Sequence, residues 1–211
     1  MNNKVMFFNL GGILAFIIFS GCTLISMLFY PHSFSPLYNW LSNLGNYYLN
    51  PAGAVFFNMG CILTGIILIP FSLNLYRWKP GLTYERILLI LAIIIGVFAS
   101  LSLVGVGVFS QTNGYHVLVA SCVFVSIFIL ITSLSIALFK HPKFMRIVMY
   151  WGLFAILSDG IFILVIEIIR FHTSLADLHP TVPVAGLEWS AVYVSLIWIS
   201  ALSYNMYKKQ L

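Results

Sequence analysis

The chain has 211 residues, of which 61% are apolar and 7% charged, with a formal net charge of +5 and a mean hydropathy of +1.03. A soluble domain carries roughly 25% charged residues, so a water-soluble globule of this length would lack the charge to cover its surface. The same arithmetic excludes intrinsic disorder and a nucleic-acid module built on basic patches.

A helix that crosses a bilayer needs about 20 mainly apolar residues. Six stretches satisfy this, at about 5–29, 53–76, 86–108, 116–139, 147–169 and 188–206, each closed by charge, Pro, Gly or Asn. The expected fold is all-α: a single transmembrane domain over residues 1–211, a six-helix bundle in a multi-pass cell-membrane protein. Within the first span, Phe19-Ser20-Gly21-Cys22 has the outline of a lipoprotein cleavage box. Phe19 stands where that box wants Leu, and apolar sequence continues to Leu28, so an uncleaved span is expected. The three cysteines, Cys22, Cys61 and Cys122, fall in separate apolar segments and form no CxxC pair, so buried, inert thiols are expected.

The first loop, residues 30–52, contains no charge but many aromatic and hydrogen-bonding groups. Tyr38, Trp40, Tyr47 and Tyr48 suit an interfacial belt. The same loop can also fold over the bundle and line a lipid-headgroup pocket, with Ser42, Asn43 and Asn46 supplying hydrogen bonds. The second and fourth loops are short and basic, with Arg77, Lys79 and Arg86 in one and Lys140, Lys143 and Arg146 in the other. With Lys4, Lys208 and Lys209 they place nine of the ten basic residues on one side, Arg170 being the exception. The positive-inside rule then puts both termini in the cytoplasm.

His116 is expected to open the fourth helix and Glu188 the sixth, where an acid in a first turn is favoured by the helix dipole. His32, His116, His172 and His179 all fall on the outer side, with Asp177 beside the last. Glu167 lies three residues before Arg170, a spacing that makes an ion pair. Asp159 falls near the middle of the fifth span, where a charged Asp costs about 2.5–3.5 kcal/mol. It is expected to be protonated or to face water or a bound cation, and interhelical glue is an equal alternative. Thr64, Ser100, Ser126 and Ser195 lie near their own helix centres.

There is no HExxH, GxSxG or phosphate-binding Gly-rich sequence, and no inverted repeat. Leu41-Ser42-Asn43-Leu44-Gly45, then Asn50-Pro51 and Phe56-Phe57-Asn58-Met59-Gly60, resemble a pattern of small six-helix membrane proteins. These are the Frag/DRAM/Sfk group, DRAM being the damage-regulated autophagy modulators, and the related uncharacterised prokaryotic family. A His opening helix 4 and a Glu-Trp pair opening helix 6 are further marks of the group, matched by His116 and by Glu188-Trp189. This sequence has Asn43 where the group usually carries Asp. The resemblance implies the six-helix fold and a role in membrane-lipid biology: remodelling of lipid anchors, lipid asymmetry, or regulation of membrane traffic.

The leading expectation is a lipid-binding or membrane-organising protein with a site on the non-cytoplasmic face bounded by Ser42, Asn43, Asn58, His116 and Glu188. Its expected partners are membrane lipids, with a membrane-protein partner possible and neither nucleic acid nor cofactor nor metal required. The rival is an outer-leaflet lipid hydrolase or acyltransferase using His116 with Glu188 or Asp177 as catalytic candidates. A third reading is an accessory subunit whose Gly60, Gly65, Gly105 and Gly107 notch against partner helices.

Overall fold

The structure, a computed structural model, describes residue 6 and residues 8–172 and 184–211. Among the described residues six helices are long and apolar enough to cross a membrane, and no strand forms. They are α1 (Gly11–Leu28), α2 (Ala54–Asn74), α3 (Thr83–Val108), α4 (His116–Leu138), α5 (Arg146–His172) and α6 (Val184–Lys208). In hydrocarbon every backbone N–H and C=O must be satisfied within the segment, and for a continuous apolar run the helix does this.

Each observed helix overlaps one of the expected spans, and several of the end differences have local causes. A 3-10 turn at Leu75–Trp78 prolongs α2. The helix α3 begins at Thr83, where the Glu85 carboxylate accepts the Leu82 N–H at 3.0 Å. The helix α1 begins at Gly11 rather than 5, and α6 starts at Val184 rather than 188. Val184 and Ala185 are buried, and Gly186 lies under Leu37 of the first loop, so the cover of that loop makes another turn of helix worthwhile. Glu188 is therefore not in the first helical turn, and the dipole argument for its position fails.

Consecutive helices pack on one another and α6 closes on α1, giving a ring of six. The least extensive seam is between α4 and α5. Leu130, Ile131, Leu134, Ala155, Trp198 and Leu202 fill one half of the interior. Phe19, Leu41, Leu44, Phe57, Val106, Val123 and Leu196 fill the other, beneath the first loop. Outside, side chains such as Leu24, Ile87, Ile94, Leu118, Leu157 and Leu164 are exposed, a surface that requires lipid around it.

Close approach between helices is built on small residues. A Cβ at Gly12 would collide with the Ile199 carbonyl and Ser203; one at Gly60 with Cys22; one at Gly65 with the Ser100 carbonyl. At Gly107 it would strike the Asn58 carbonyl, and at Gly105 it would press on Val119. The four glycines considered for partner helices thus all meet helices of their own chain.

Both ends of the chain lie at the same end of the bundle. Asn9 Nδ2 donates to the Leu211 carbonyl at 2.8 Å, and Asn74 Nδ2 donates to Asn9 Oδ1 at 2.7 Å. Asn205 accepts the Met145 N–H at 2.8 Å and donates to the Lys143 carbonyl at 2.9 Å. The basic loops belong to this end, and the first loop caps the opposite one.

Candidate functional site

The cap is organised around the 3-10 turn Leu41–Gly45. Leu41 and Leu44 point into the bundle and are buried, which commits the polar side chains between them to the remaining directions. The N–H of Leu41 donates to Glu188 Oε2 at 2.6 Å, and the Ser42 N–H is a second donor to the same carboxylate. An acid thus terminates the turn's free N–H groups from a neighbouring helix, as a capping side chain would from its own. The adjacent Trp189 Nε1 donates to the Asn39 carbonyl at 2.9 Å. The Glu-Trp pair of α6 is a two-point clamp on the loop.

Other helices hold the loop in the same way. Asn58 Nδ2 of α2 donates to the Gly45 carbonyl at 3.1 Å. Asn50 donates to the Ser26 and Leu44 carbonyls, each at 3.1 Å, and accepts the Gly53 N–H at 3.1 Å. Gln111, between α3 and α4, donates to Asn43 Oδ1 at 2.8 Å and to Ser42 Oγ at 3.2 Å. Its carbonyl oxygen accepts Asn46 Nδ2 at 2.9 Å. Asn43 acts there only as an acceptor, a role an Asp would fill equally well.

His116 Nδ1 lies 2.8 Å from the Phe109 carbonyl. A carbonyl can only accept, so that partner assigns the proton to Nδ1 and leaves Nε2 with a lone pair in the neutral ring. The ring is buried at the start of α4, between two cavities. An inner chamber of about 80 Å³ inside the ring of helices is lined by Ser42, His116 and Glu188 at its loop end, and by Asp159 and Ser195 farther in. A groove of about 330 Å³ opens along the α4–α5 seam, where the helices pack least closely. Trp40, Ser42, Gln111, His116, Glu188 and Arg170 form its polar walls, and Val117, Val125, Phe162, Ile163 and Ile166 its apolar ones. Arg170 of α5 crosses the groove: Nη1 donates to Glu167 Oε1 at 2.7 Å and Nη2 to Ser121 Oγ of α4 at 3.1 Å. The Glu167–Arg170 pair expected from its spacing therefore forms.

Of the five residues expected to bound a site, the structure brings Ser42, His116 and Glu188 onto shared cavity walls. Asn43 and Asn58 are nearby but use Oδ1 and Nδ2, respectively, to hold the loop. Asp177 and His179 lie outside the described residues, and His172 closes α5. Asp159, expected to be protonated, to face water or a cation, or to join helices, faces the same chamber as His116 and Glu188 and accepts the Ser195 hydroxyl of α6 at 2.9 Å. Cys61 is buried, and Cys22 and Cys122 are half-buried and free. Among the described residues no three His, Cys, Asp or Glu side chains converge as a metal would require.

Sequence reasoning missed the clamp made by Asn50 and Gln111, although uncharged polar residues beside a charge-free loop were the available signal. It also missed the groove itself. Spans that are apolar nearly all round carry no periodicity to say which face of α4 meets which face of α5.

No curated protein and no solved structure matches the chain. A family model does, over residues 13–205, a stretch that runs from α1 into α6 and contains the whole cap and groove. The chain therefore belongs to the family described as Protein of unknown function (DUF998).

Proposed function

We propose that this membrane protein binds a lipid in the α4–α5 groove, with the headgroup under the first loop and an acyl chain against the lower walls. The observation that carries the reading is the order of the lining along the seam. Trp40, Gln111, His116 and Arg170 provide polar groups at the loop end, while Val125, Phe162 and Ile163 offer only hydrocarbon. A groove polar at one end and apolar along its length, open sideways from a membrane-spanning bundle, matches an amphiphile lying parallel to the helices. The Frag/DRAM/Sfk likeness points to the same lipid biology. Basic residues gathered at the opposite end support a cell-membrane topology with the termini cytoplasmic and the groove in the outer leaflet.

Native mass spectrometry of the gently solubilised protein tests this. The wild-type chain is expected to retain lipid, His116→Ala to retain less, and Ile163→Trp, which fills the groove, to retain none. Equal lipid in all three would overturn the reading. A second reading, an outer-leaflet hydrolase or acyltransferase, has one observation in its favour: His116 Nε2 is left in the form a general base takes. It requires the release or transfer of an acyl chain from phospholipid vesicles, abolished in His116→Ala. Among the described residues Ser42 Oγ accepts from Gln111 and makes no bond to His116, so the serine is not poised as a nucleophile.

A further inference from the structure

Asp159 stands at the middle of α5, and its side chain is 1% exposed. One carboxyl oxygen accepts the Ser195 hydroxyl at 2.9 Å, and the other, Oδ1, is buried and has no hydrogen-bond partner among the described residues. Ser195 lies two turns beyond Glu188 on α6, so Asp159 is about 10 Å farther from the loop end than Glu188, at about 1.5 Å of rise per residue. The chamber between them is walled by hydrocarbon, including the rings of Phe19, Phe57 and Phe124. Two carboxyl groups line it, and among the described residues no Lys or Arg does. Its one basic side chain is His116, at the mouth and already bonded to the Phe109 carbonyl.

Each feature selects for a particular occupant. An unmatched carboxyl oxygen in an apolar chamber calls for a hydrogen-bond donor. A carboxyl buried without a counter-ion can hold a charge only beside a positive partner, and phenyl faces also attract cations. Anions are disfavoured by both acids, and a neutral alcohol would satisfy the oxygen without the added charge attraction that an ammonium brings to an ionised Asp159. We propose that the chamber binds a primary alkylammonium, its ammonium group donating to Asp159 Oδ1 and its alkyl chain lying along the apolar walls toward His116. The chamber shares Ser42, His116, Ala120, Phe124 and Glu188 with the α4–α5 groove, which gives such a ligand a route in from the side of the bundle. This site does not depend on a lipid occupying the groove.

The test is calorimetric titration of the purified full chain, in a neutral detergent, with butylammonium, 1-butanol and butyrate. Butylammonium is expected to bind at least about tenfold more tightly than 1-butanol, the worth of one charge-assisted hydrogen bond. Butyrate is expected not to bind. Asp159→Asn should abolish the preference for the ammonium, whereas Ser195→Ala, which keeps the carboxylate, should preserve it. Ala191→Leu, which fills the chamber without altering charge, should remove binding of both ligands. The proposal is overturned if the wild-type chain does not bind butylammonium, or binds 1-butanol equally well. It is also overturned if Asp159→Asn binds the ammonium undiminished. Should Asp159→Asn fail to fold, full butylammonium affinity in Ala191→Leu would overturn it alone. Lipid retained by these same samples in mass spectrometry reports on the groove independently.

Discussion

Glu188 shows at the scale of one residue how an acid in a membrane-spanning helix is accommodated. Its carboxylate receives two backbone N–H groups, from Leu41 and Ser42, and so it serves as a cap supplied by a different helix. Removing it strands both donors in a buried place, at about 1–3 kcal/mol for each. Glu188→Ala is therefore expected to lower the thermal unfolding midpoint in detergent, and Glu188→Gln, which keeps an acceptor oxygen, to lower it by less. No effect of either would mean that the loop is held by its buried leucines alone. The sequence marked Glu188 as a candidate ligand contact, and the structure gives it a positioning role as well. Asn58 and Asn43 shift further in that direction, because Asn58 Nδ2 donates to Gly45 and Asn43 Oδ1 accepts from Gln111.

At the scale of helices, small residues decide which seams are tight. Gly12 and Gly21 belong to the same helix, yet a Cβ at Gly12 would meet α6 at once and one at Gly21 meets nothing. One substitution should thus have opposite signs at the two sites. Gly12→Ala is expected to cost about 1–3 kcal/mol through overpacking against Ile199 and Ser203. Gly21→Ala should stabilise by up to about 1 kcal/mol, the helix-propensity difference between the residues. Comparing the two unfolding midpoints checks this, and matching signs would place α1 differently in the ring. The α4–α5 seam is the loosest, and a groove opens there at each end, the second of about 390 Å³ beside Tyr84, Glu85 and Lys140.

For the whole molecule, an even number of spans puts both termini at one end, where Asn9 bonds both the Leu211 carbonyl and Asn74, and Asn205 holds the loop at Lys143 and Met145. That end also carries the basic loops. The expected orientation is checked by cysteine labelling with a membrane-impermeant reagent, in a chain whose three native cysteines are replaced by alanine. Ser35→Cys should react in intact cells, and Lys209→Cys only after the membrane is opened. The reverse pattern would put the cap and its groove on the cytoplasmic side.

Much of this protein could be read directly from its sequence, for a physical reason. Hydrocarbon forbids unsatisfied backbone, so length and hydropathy suffice to find the six helices α1 to α6, though not all of their ends, and the Glu167–Arg170 spacing suffices to make their ion pair. The polar residues of the first loop announced a structured cap, since an uncharged, amide-rich segment beside a membrane must satisfy its groups somewhere. What tertiary structure alone decided is which partners those groups take. Nothing local says that Glu188 reaches the Leu41 N–H, that Gln111 joins three residues of the first loop, or that Asp159 finds Ser195 across a helix interface. Spans apolar on every side leave their rotation to glycine contacts and to a few buried hydrogen bonds. Only when the ring closes do the α4–α5 groove and the chamber behind it come into being.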